Sequence, residues 1–278
     1  MPVVATNTAA NSALRFLNRN SSMASGSVGK LASGSRIVKA SDDAAGLAIG
    51  TRLMADVTSL TQAGINASQG ASVVQVADGG LARIGDVLQR MKALAAQSLS
   101  GVPTDTERAF IDAEYQELVS EVSDIASTTR FNGQSLLDGS AATADYFVGT
   151  DVSDTITVDF NTLAAGQTGY TAANLSIDSV AVSSAASAAA AMSLIDAAID
   201  IISEARATAG ALISRFEFRG QQIATSLENI DAAKSAIMDV DLAAEQSKLV
   251  SNQVLVQAAV SAVSQANQIP QSLLRVLQ

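Results

Sequence analysis

The chain lacks the residues on which most catalytic and metal sites depend. Its 278 residues include no Cys, no His and no Trp, and only 3 Pro. Without Cys and His, a disulfide, a Cys/His zinc site and a Ser/His/Asp triad are all excluded. The sequence therefore predicts no cofactor and no metal, and a helical bundle with a site made of carboxylates alone is the enzymatic alternative that stays open.

Basic residues are also scarce, 17 against 27 acidic ones, which gives a net charge of −10. Phosphate backbones are bound by clustered Lys and Arg, so nucleic acid is not an expected partner. The first 41 residues differ from the rest because their charges are all basic: Arg15, Arg19, Lys30, Arg36 and Lys39. We interpret this segment as one side of a surface between subunits rather than as a nucleic-acid or membrane tail.

No segment has the sequence features of a secretory signal peptide or of a membrane-spanning helix. The start of the chain has no basic residue followed by an apolar run, so export with a cleaved signal peptide is not expected. Residues 249–274 are uncharged and long enough to cross a bilayer, but Ser, Asn and Gln recur throughout them. The sequence predicts no membrane contact.

Apolar residues recur in alternating steps of four and three at both ends of the chain, the pattern of a helix with one apolar stripe. We expect the first helix to end near Gly34 and the last to run from about 241 to 268 and to stop at Pro270. The two helices are predicted to pair with one another through Leu14, Leu17, Val28, Leu31, Leu249, Val256, Val260 and Val263.

The middle of the chain predicts more helix and one hairpin. A long helix is expected up to about 99, and another begins where Thr104 caps it with Glu107 three places on. Residues 145–148 and 155–160 alternate like paired strands, and 161–191 is predicted to be an exposed connection. The next helix has the most regular stripe, whose apolar members are Ile195, Ile199, Ile202, Ile213, Phe216, Ile223, Leu227 and Ile230.

These patterns give a mainly α fold, a long antiparallel helical bundle with a small β-hairpin region. We divide the chain into an N-terminal helix (1–33), a linker (34–46), a middle part (47–190), a returning helix (191–238) and a C-terminal helix (239–278). Composition alone leaves two arrangements open, a closed four-helix bundle and a polymer in which neighbours cover the stripes.

Four motifs, in order along the chain, resemble those of the bacterial flagellins. Residues 31–49 read Leu-Ala-Ser-Gly-Ser-Arg-Ile-Val-Lys-Ala-Ser-Asp-Asp-Ala-Ala-Gly-Leu-Ala-Ile, similar to the family's signature. Thr6-Asn7-Thr8 with Leu17-Asn18, then Arg130-Phe131-Asn132-Gly133, and finally Gln265-Ala266-Asn267-Gln268-Ile269-Pro270-Gln271 resemble three further family motifs. The resemblance covers both ends of the chain. It favours the polymer over the closed four-helix bundle. It also implies that the two terminal helices form an inner core domain, paired as a coiled coil, and that residues 47–238 form an outer core domain.

The resemblance implies a structural subunit, not an enzyme, which assembles into the helical tubular filament outside the cell and serves swimming. The implied partners are other copies of the chain, an export chaperone, and the filament cap and hook-filament junction proteins. It also implies a surface for a Toll-like receptor of the host, made here of Gln89, Arg90, Leu94 and Glu114, although contact between subunits is the favoured role for these residues. A hook-filament junction protein of the same superfamily is the alternative function.

Overall fold

The computed structural model of the chain describes residues 7–141 and 143–276. Within them the chain is mainly α-helical, as predicted. The helices are α1 (Thr8–Ser33), α2 (Ala44–Leu99), α3 (Asp105–Thr128), α4 (Ala185–Met238) and α5 (Leu242–Val276). The strands are β1 (Arg130–Phe131), β2 (Gln134–Ser135), β3 (Ala144–Phe147) and β4 (Thr155–Val158).

The helices begin and end where local chemistry satisfies their free backbone groups. The Asn7 side chain accepts a hydrogen bond of 3.0 Å from the Ala10 amide, and α1 ends at Gly34, whose φ of 69° suits a residue without Cβ. At α3, Thr104 accepts from the Glu107 amide while Glu107 accepts from the Thr104 amide at 2.7 Å. The predictions of a helix end near Gly34 and a cap at Thr104 are confirmed.

The residues group into two compact units, which we call unit 1 (residues up to 57 and from 229 onward) and unit 2 (residues 58–228). Unit 1 holds α1 and α5 with the ends of α2 and α4 that lie nearest to them in sequence. Unit 2 holds the rest of α2 and α4 together with α3 and the four strands.

The core of unit 2 is a helical bundle with an apolar interior. Two ion pairs show the relative direction of α2 and α4. Arg206 lies 3.0 Å from Asp78 and Lys92 lies 2.5 Å from Asp196, so the two helices run antiparallel. Arg108, which is buried, donates to the Ser98 carbonyl at 3.2 Å and so holds the start of α3 against the end of α2. The largest fully buried side chains are Tyr115, Tyr170, Phe216, Leu81, Ile84, Leu88, Met91, Leu94, Leu137, Ile177, Ile195 and Val74.

A β-hairpin covers one side of this bundle, as the alternating pattern predicted. β3 and β4 pair antiparallel with Tyr146 opposite Ile156, and the Asp154 carboxylate closes the turn by accepting from the amides of Thr150 and Asp151. The Tyr146 ring meets the Phe216 ring edge to face, with centroids 5.4 Å apart. Gly70 lies beneath them, and a Cβ there would come within 2.6 Å of the Phe216 ring.

Three boundary predictions were wrong. Residues 161–184 are not an exposed connection, because Leu163, Tyr170, Leu175, Ile177 and Val182 are buried; turns rather than a regular period carry them inward. The helix predicted to begin at about 191 begins at Ala185, since the run of alanines before it favours helix. The last helix continues through Pro270 to Val276, because a proline removes one amide donor and does not always end a helix.

Candidate assembly surface

The side chains between α1 and α5 in unit 1 form a regular antiparallel series. The Asn7 side chain donates to the Ala266 carbonyl at 2.8 Å, and Ser35 bridges to Asp239 at the other end. Buried or half-buried positions recur in steps of three and four on both helices. We call this set the α1–α5 seam: Ala10, Ala13, Leu17, Asn20, Ala24, Ser27 and Leu31 with Glu245, Leu249, Asn252, Val256, Ala259, Val263 and Ala266.

The α1–α5 seam is rotated from the predicted one. Leu17, Leu31, Leu249, Val256 and Val263 lie in it. Leu14, Val28 and Val260 do not; they are 44%, 51% and 53% exposed, so their placement inside this pair was wrong. Small side chains at Ala13, Asn20 and Ser27 take the inner positions, because they let two helices approach closely. The heptad spacing could be recognised in the sequence. The prediction failed because it assigned the larger apolar side chain to the inner position at each heptad step.

Polar groups interrupt this seam and are matched there. Glu245 and Ser27 are both buried, and the Ser27 hydroxyl bonds to the Glu245 carboxylate. This bond, helped by Lys248 at 3.2 Å, holds the pKa of Glu245 below its ordinary value although burial opposes the shift. A polar residue in a helical seam lowers stability and specifies register. The pairing of α1 with α5 is therefore fixed in register by these polar residues but is not strongly stabilised by them.

Large apolar side chains are also exposed outside the seam. Those that the structure describes as exposed are Leu14, Phe16, Met23 and Val28 on α1 and Leu242, Val250, Val254, Leu255 and Val260 on α5. We call them the outer stripes. The other exposed positions of α5 include Ser251, Gln253, Gln257 and Ser261, which are polar and uncharged. Covering these uncharged positions does not require an ion to leave water.

The signature segment forms the link between α1 and α2 and ties it to the link between α4 and α5. The Arg36 amide donates to the Met238 carbonyl at 2.6 Å, and the Arg36 guanidinium donates to the Ile237 carbonyl at 3.1 and 2.9 Å. The Val240 amide returns a bond to Gly34 at 3.1 Å. The Arg36 guanidinium is therefore a side-chain donor in a tie that is otherwise carried largely by backbone groups.

The two adjacent acids of the signature are structural. Asp42 accepts from the amides of Lys39 and Val38, and these bonds hold the pKa of Asp42 below its ordinary value. Asp43 accepts from the Gly46 amide at 2.8 Å and so caps the first turn of α2. Neither carboxylate belongs to a group that could hold a metal ion in the part of the chain that the structure describes.

The predicted outer-core stripe on α4 is rotated in the same way. Ile195, Ile202, Phe216 and Ile223 are buried. Ile199, Ile213, Leu227 and Ile230 are only half-buried. Ala198 and Ala205 take inner positions instead, and Arg206 points outward to Asp78. By length and composition alone α4 could cross a bilayer, but its buried positions form part of the unit 2 core.

The predicted receptor surface is only partly assembled. Arg90 grips Glu114 across α2 and α3 with two hydrogen bonds of 3.0 and 2.6 Å, and Gln89 is exposed beside them. Leu94 is 2% exposed and packs in the core of unit 2, so its place on a surface was wrong. The geometry gives one exposed ion pair at these residues.

Comparison with known proteins places these features in one family. Residues 4–142 match the bacterial flagellin N-terminal helical region, and residues 192–277 match the bacterial flagellin C-terminal helical region. A flagellin of Halalkalibacterium halodurans is 36% identical over 248 residues, covering 89% of each chain. The flagellar filament 30.7 kDa core protein of Treponema maltophilum is 34% identical over 276 residues, covering 95% of each.

A solved structure agrees at the level of the fold. A putative flagellar hook-associated protein of Vibrio parahaemolyticus superposes with a TM-score of 0.58 over 71% of this chain and 100% of its own, at 12% identity. That identity supports a shared fold and does not favour a hook-associated function over a filament one. Both helical regions and relatives aligned over nearly the whole chain agree: the chain belongs to the bacterial flagellin family.

Proposed function

We propose that this flagellin builds the filament by covering the outer stripes of α1 and α5 with the same helices of neighbouring subunits. Its relatives are filament proteins, and the chain is a structural subunit of the flagellar filament that serves motility. The observation that supports this route lies on α1: five of its seven seam positions are Ala, Asn or Ser, while the large side chains of Phe16 and Val28 are exposed.

Covering these stripes supplies the driving force. Full burial of one large apolar side chain is worth about 1.5–3 kcal/mol, and nine such residues of α1 and α5 are exposed in the described part of the chain. The seam alone gives α1 and α5 a weak reason to stay folded, since Ser, Asn and Glu take part of it. Neighbouring subunits add the missing apolar contact.

A charge placed in an outer stripe tests this route. Val260→Asp keeps the seam residues intact but buries a carboxylate in the polymer, which costs several kcal/mol unless it is paired. We expect seeded protein carrying this change to stay in the supernatant after ultracentrifugation and to show no filaments by negative-stain electron microscopy. Val152→Asp, a matched change at an exposed residue of the hairpin turn, should still form filaments. Normal filaments from Val260→Asp would contradict the proposed route.

The same stripes need protection before assembly, and we extend the proposal to partners. An export chaperone would cover α5, and the cap and hook-filament junction proteins would contact the stripes at the two ends of the filament. The chain would be exported to the outside of the cell without being cleaved. N-terminal sequencing of filament protein tests the last point, and co-purification of a chaperone with full-length chain but not with Val254→Asp tests the first.

Recognition by a Toll-like receptor would use Arg90 and Glu114 on α2 and α3, with Gln89 beside them. The support is that this ion pair is exposed in the single chain. Arg90→Ala should reduce receptor signalling by monomer if this surface is recognised. If signalling is unchanged while filaments become unstable, the pair serves contact between subunits instead.

A further inference from the structure

A groove on unit 2 is open beside the hairpin. It lies between β4 and the outward face of α4, encloses about 680 Å³ and is lined by Ile156, Ala211, Ser214, Arg215 and Phe218. Ile156 forms a buried apolar floor, while Phe218 stands at the wall with 71% of its surface exposed. An aromatic side chain left in water at the rim of an apolar groove is a feature of contact surfaces.

The charge of this groove is positive. Arg219 lies 3.6 Å from Asp154 of the hairpin turn. Arg215 makes no ion pair with any of the described residues. The occupant that fits is an aromatic side chain flanked by carboxylates.

One surface of the same chain has this chemistry. The outward face of α3, which we call the α3 stripe, consists of residues in steps of three and four that are all exposed: Glu107, Phe110, Glu114, Glu117, Glu121 and Asp124. Phe110 is 72% exposed. Glu107, three residues before it, caps α3 and has no ion pair among the described residues, and Glu114, four residues after it, also pairs with Arg90. Side chains at these spacings are neighbours on a helix.

The groove and the α3 stripe of one chain cannot meet. Arg108 fixes the start of α3 beside Ser98, whereas Phe216, next to the groove, packs against Gly70. The 28 residues of α2 between these points span about 42 Å at ~1.5 Å per residue. Phe110 can therefore enter only the groove of another copy.

We propose that Phe110 on the α3 stripe of one subunit inserts into the α4 groove of the next, with Arg215 and Arg219 facing the carboxylates around it. Two different surfaces make this contact, so it is heterologous and repeats without closing, as a helical polymer requires. The inference rests on the proposed polymerisation, but it concerns unit 2 rather than the outer stripes of unit 1.

The absence of Cys from the chain permits a direct test. The full-length double variant Phe110→Cys/Ser214→Cys should assemble into filaments, and mild oxidation should then give a ladder of covalent dimers, trimers and longer chains on a denaturing gel. A matched pair, Phe110→Cys/Ala224→Cys, places the second thiol at another exposed face of α4 and should give no ladder. Each single variant serves as a further control.

The outcomes separate this inference from the proposed function. Filaments without a ladder would overturn the groove contact and leave polymerisation intact. A ladder from Val254→Cys/Ser214→Cys, with none from the first pair, would place α5 of a neighbour in the groove and also overturn it. If the unmodified chain formed no filaments, the proposed polymerisation would be wrong, and with it both the proposed function and this inference.

A second measurement covers the case in which the cysteine variants do not assemble. Phe110→Ala and Phe218→Ala remove exposed rings, so far-ultraviolet circular dichroism and the melting of the monomer should not change. The critical concentration for assembly should rise at least about tenfold for each, as for anchor residues at interfaces. An unchanged critical concentration for both would overturn the inference.

Discussion

The two units of this flagellin use the same heptad spacing with opposite chemistry. In unit 2 the inward positions of α2 include Leu81, Ile84, Leu88 and Met91, and all are fully buried. In unit 1 the inward positions include Ser27, Glu245 and Asn252, while Phe16 and Val254 face water. A core of the first kind is stable within one chain, whereas a seam of the second kind depends on neighbours. The heptad spacing thus predicts where helices form. Whether the side chains at those positions are apolar or polar decides whether a helix pair is stable within one chain.

The largest expected effect comes from placing a charge in the complete core. Ile223→Asp puts a carboxylate at a residue that is 5% exposed in unit 2 and should cost about 4 kcal/mol. Ile230→Asp, one step of seven further along α4 and half-buried in unit 1, should cost less than half of that. Urea unfolding of the two variants measures the difference, and equal losses would remove the distinction between the units.

The buried carboxylate of unit 1 gives the next effect and a dependence on pH. Because its folded-state pKa lies below the ordinary 4.5, Glu245 contributes stability that is present above pH 4.5 and is lost as the pH falls through the folded value. Ser27→Ala should cost about 2 kcal/mol at pH 7, since a buried hydrogen bond to a charge is removed, and should cost less in acid. Hydrogen exchange of α5 amides in filaments reports this loss, and Ser25→Ala, an exposed neighbour, is the control.

A smaller change should make unit 1 resemble unit 2. Asn252 is buried in the α1–α5 seam, and Asn252→Leu should stabilise the pair in the free subunit by about 1 kcal/mol while weakening its register. The expected result is higher helicity of the monomer with slower or irregular assembly, seen by circular dichroism and electron microscopy. Asn267→Leu, at an exposed residue, should not raise monomer helicity. Unchanged helicity for Asn252→Leu would show that this polar residue does not weaken the pair.

The smallest effect concerns the one unpaired hydroxyl that we find in the described core of unit 2. The Tyr115 hydroxyl is buried without a hydrogen-bond partner among the described residues, and burial raises the pKa of Tyr115 to about 12. Tyr115→Phe should therefore leave stability unchanged or raise it by up to about 1 kcal/mol. Tyr170→Phe should instead lose about 1 kcal/mol, because the Tyr170 hydroxyl accepts from the Ala164 amide at 2.9 Å. Thermal unfolding compares the two variants.

Much of the fold was readable from the sequence because local signals agree with it. Thr104 with Glu107, the Gly34 terminus and the alternation around Ile156 all act within a few residues. The signature segment could be recognised, but its role as a tie between two links could not, since its partners Ile237 and Met238 lie about 200 residues away.

The parts that could not be read depend on choices made by packing. Each helix stripe offered two overlapping heptad series, and the packed one uses the alanines, as at Ala198 and Ala205. Tyr170 and Ile177 are buried although nothing periodic surrounds them, because turns rather than a helix or strand place them. Leu94 sits next to residues of the predicted surface yet lies on the inward side of α2.

The tie between the two links also determines how a pull on this subunit would be carried. The bonds from Arg36 to Met238, from Val240 to Gly34 and from the Arg36 guanidinium to Ile237 join two antiparallel segments side by side. A tension that separates α1 from α4 along the chain direction must break these bonds together, as in shear, instead of one after another. The short signature thus distributes such a tension over a group of bonds that act in parallel.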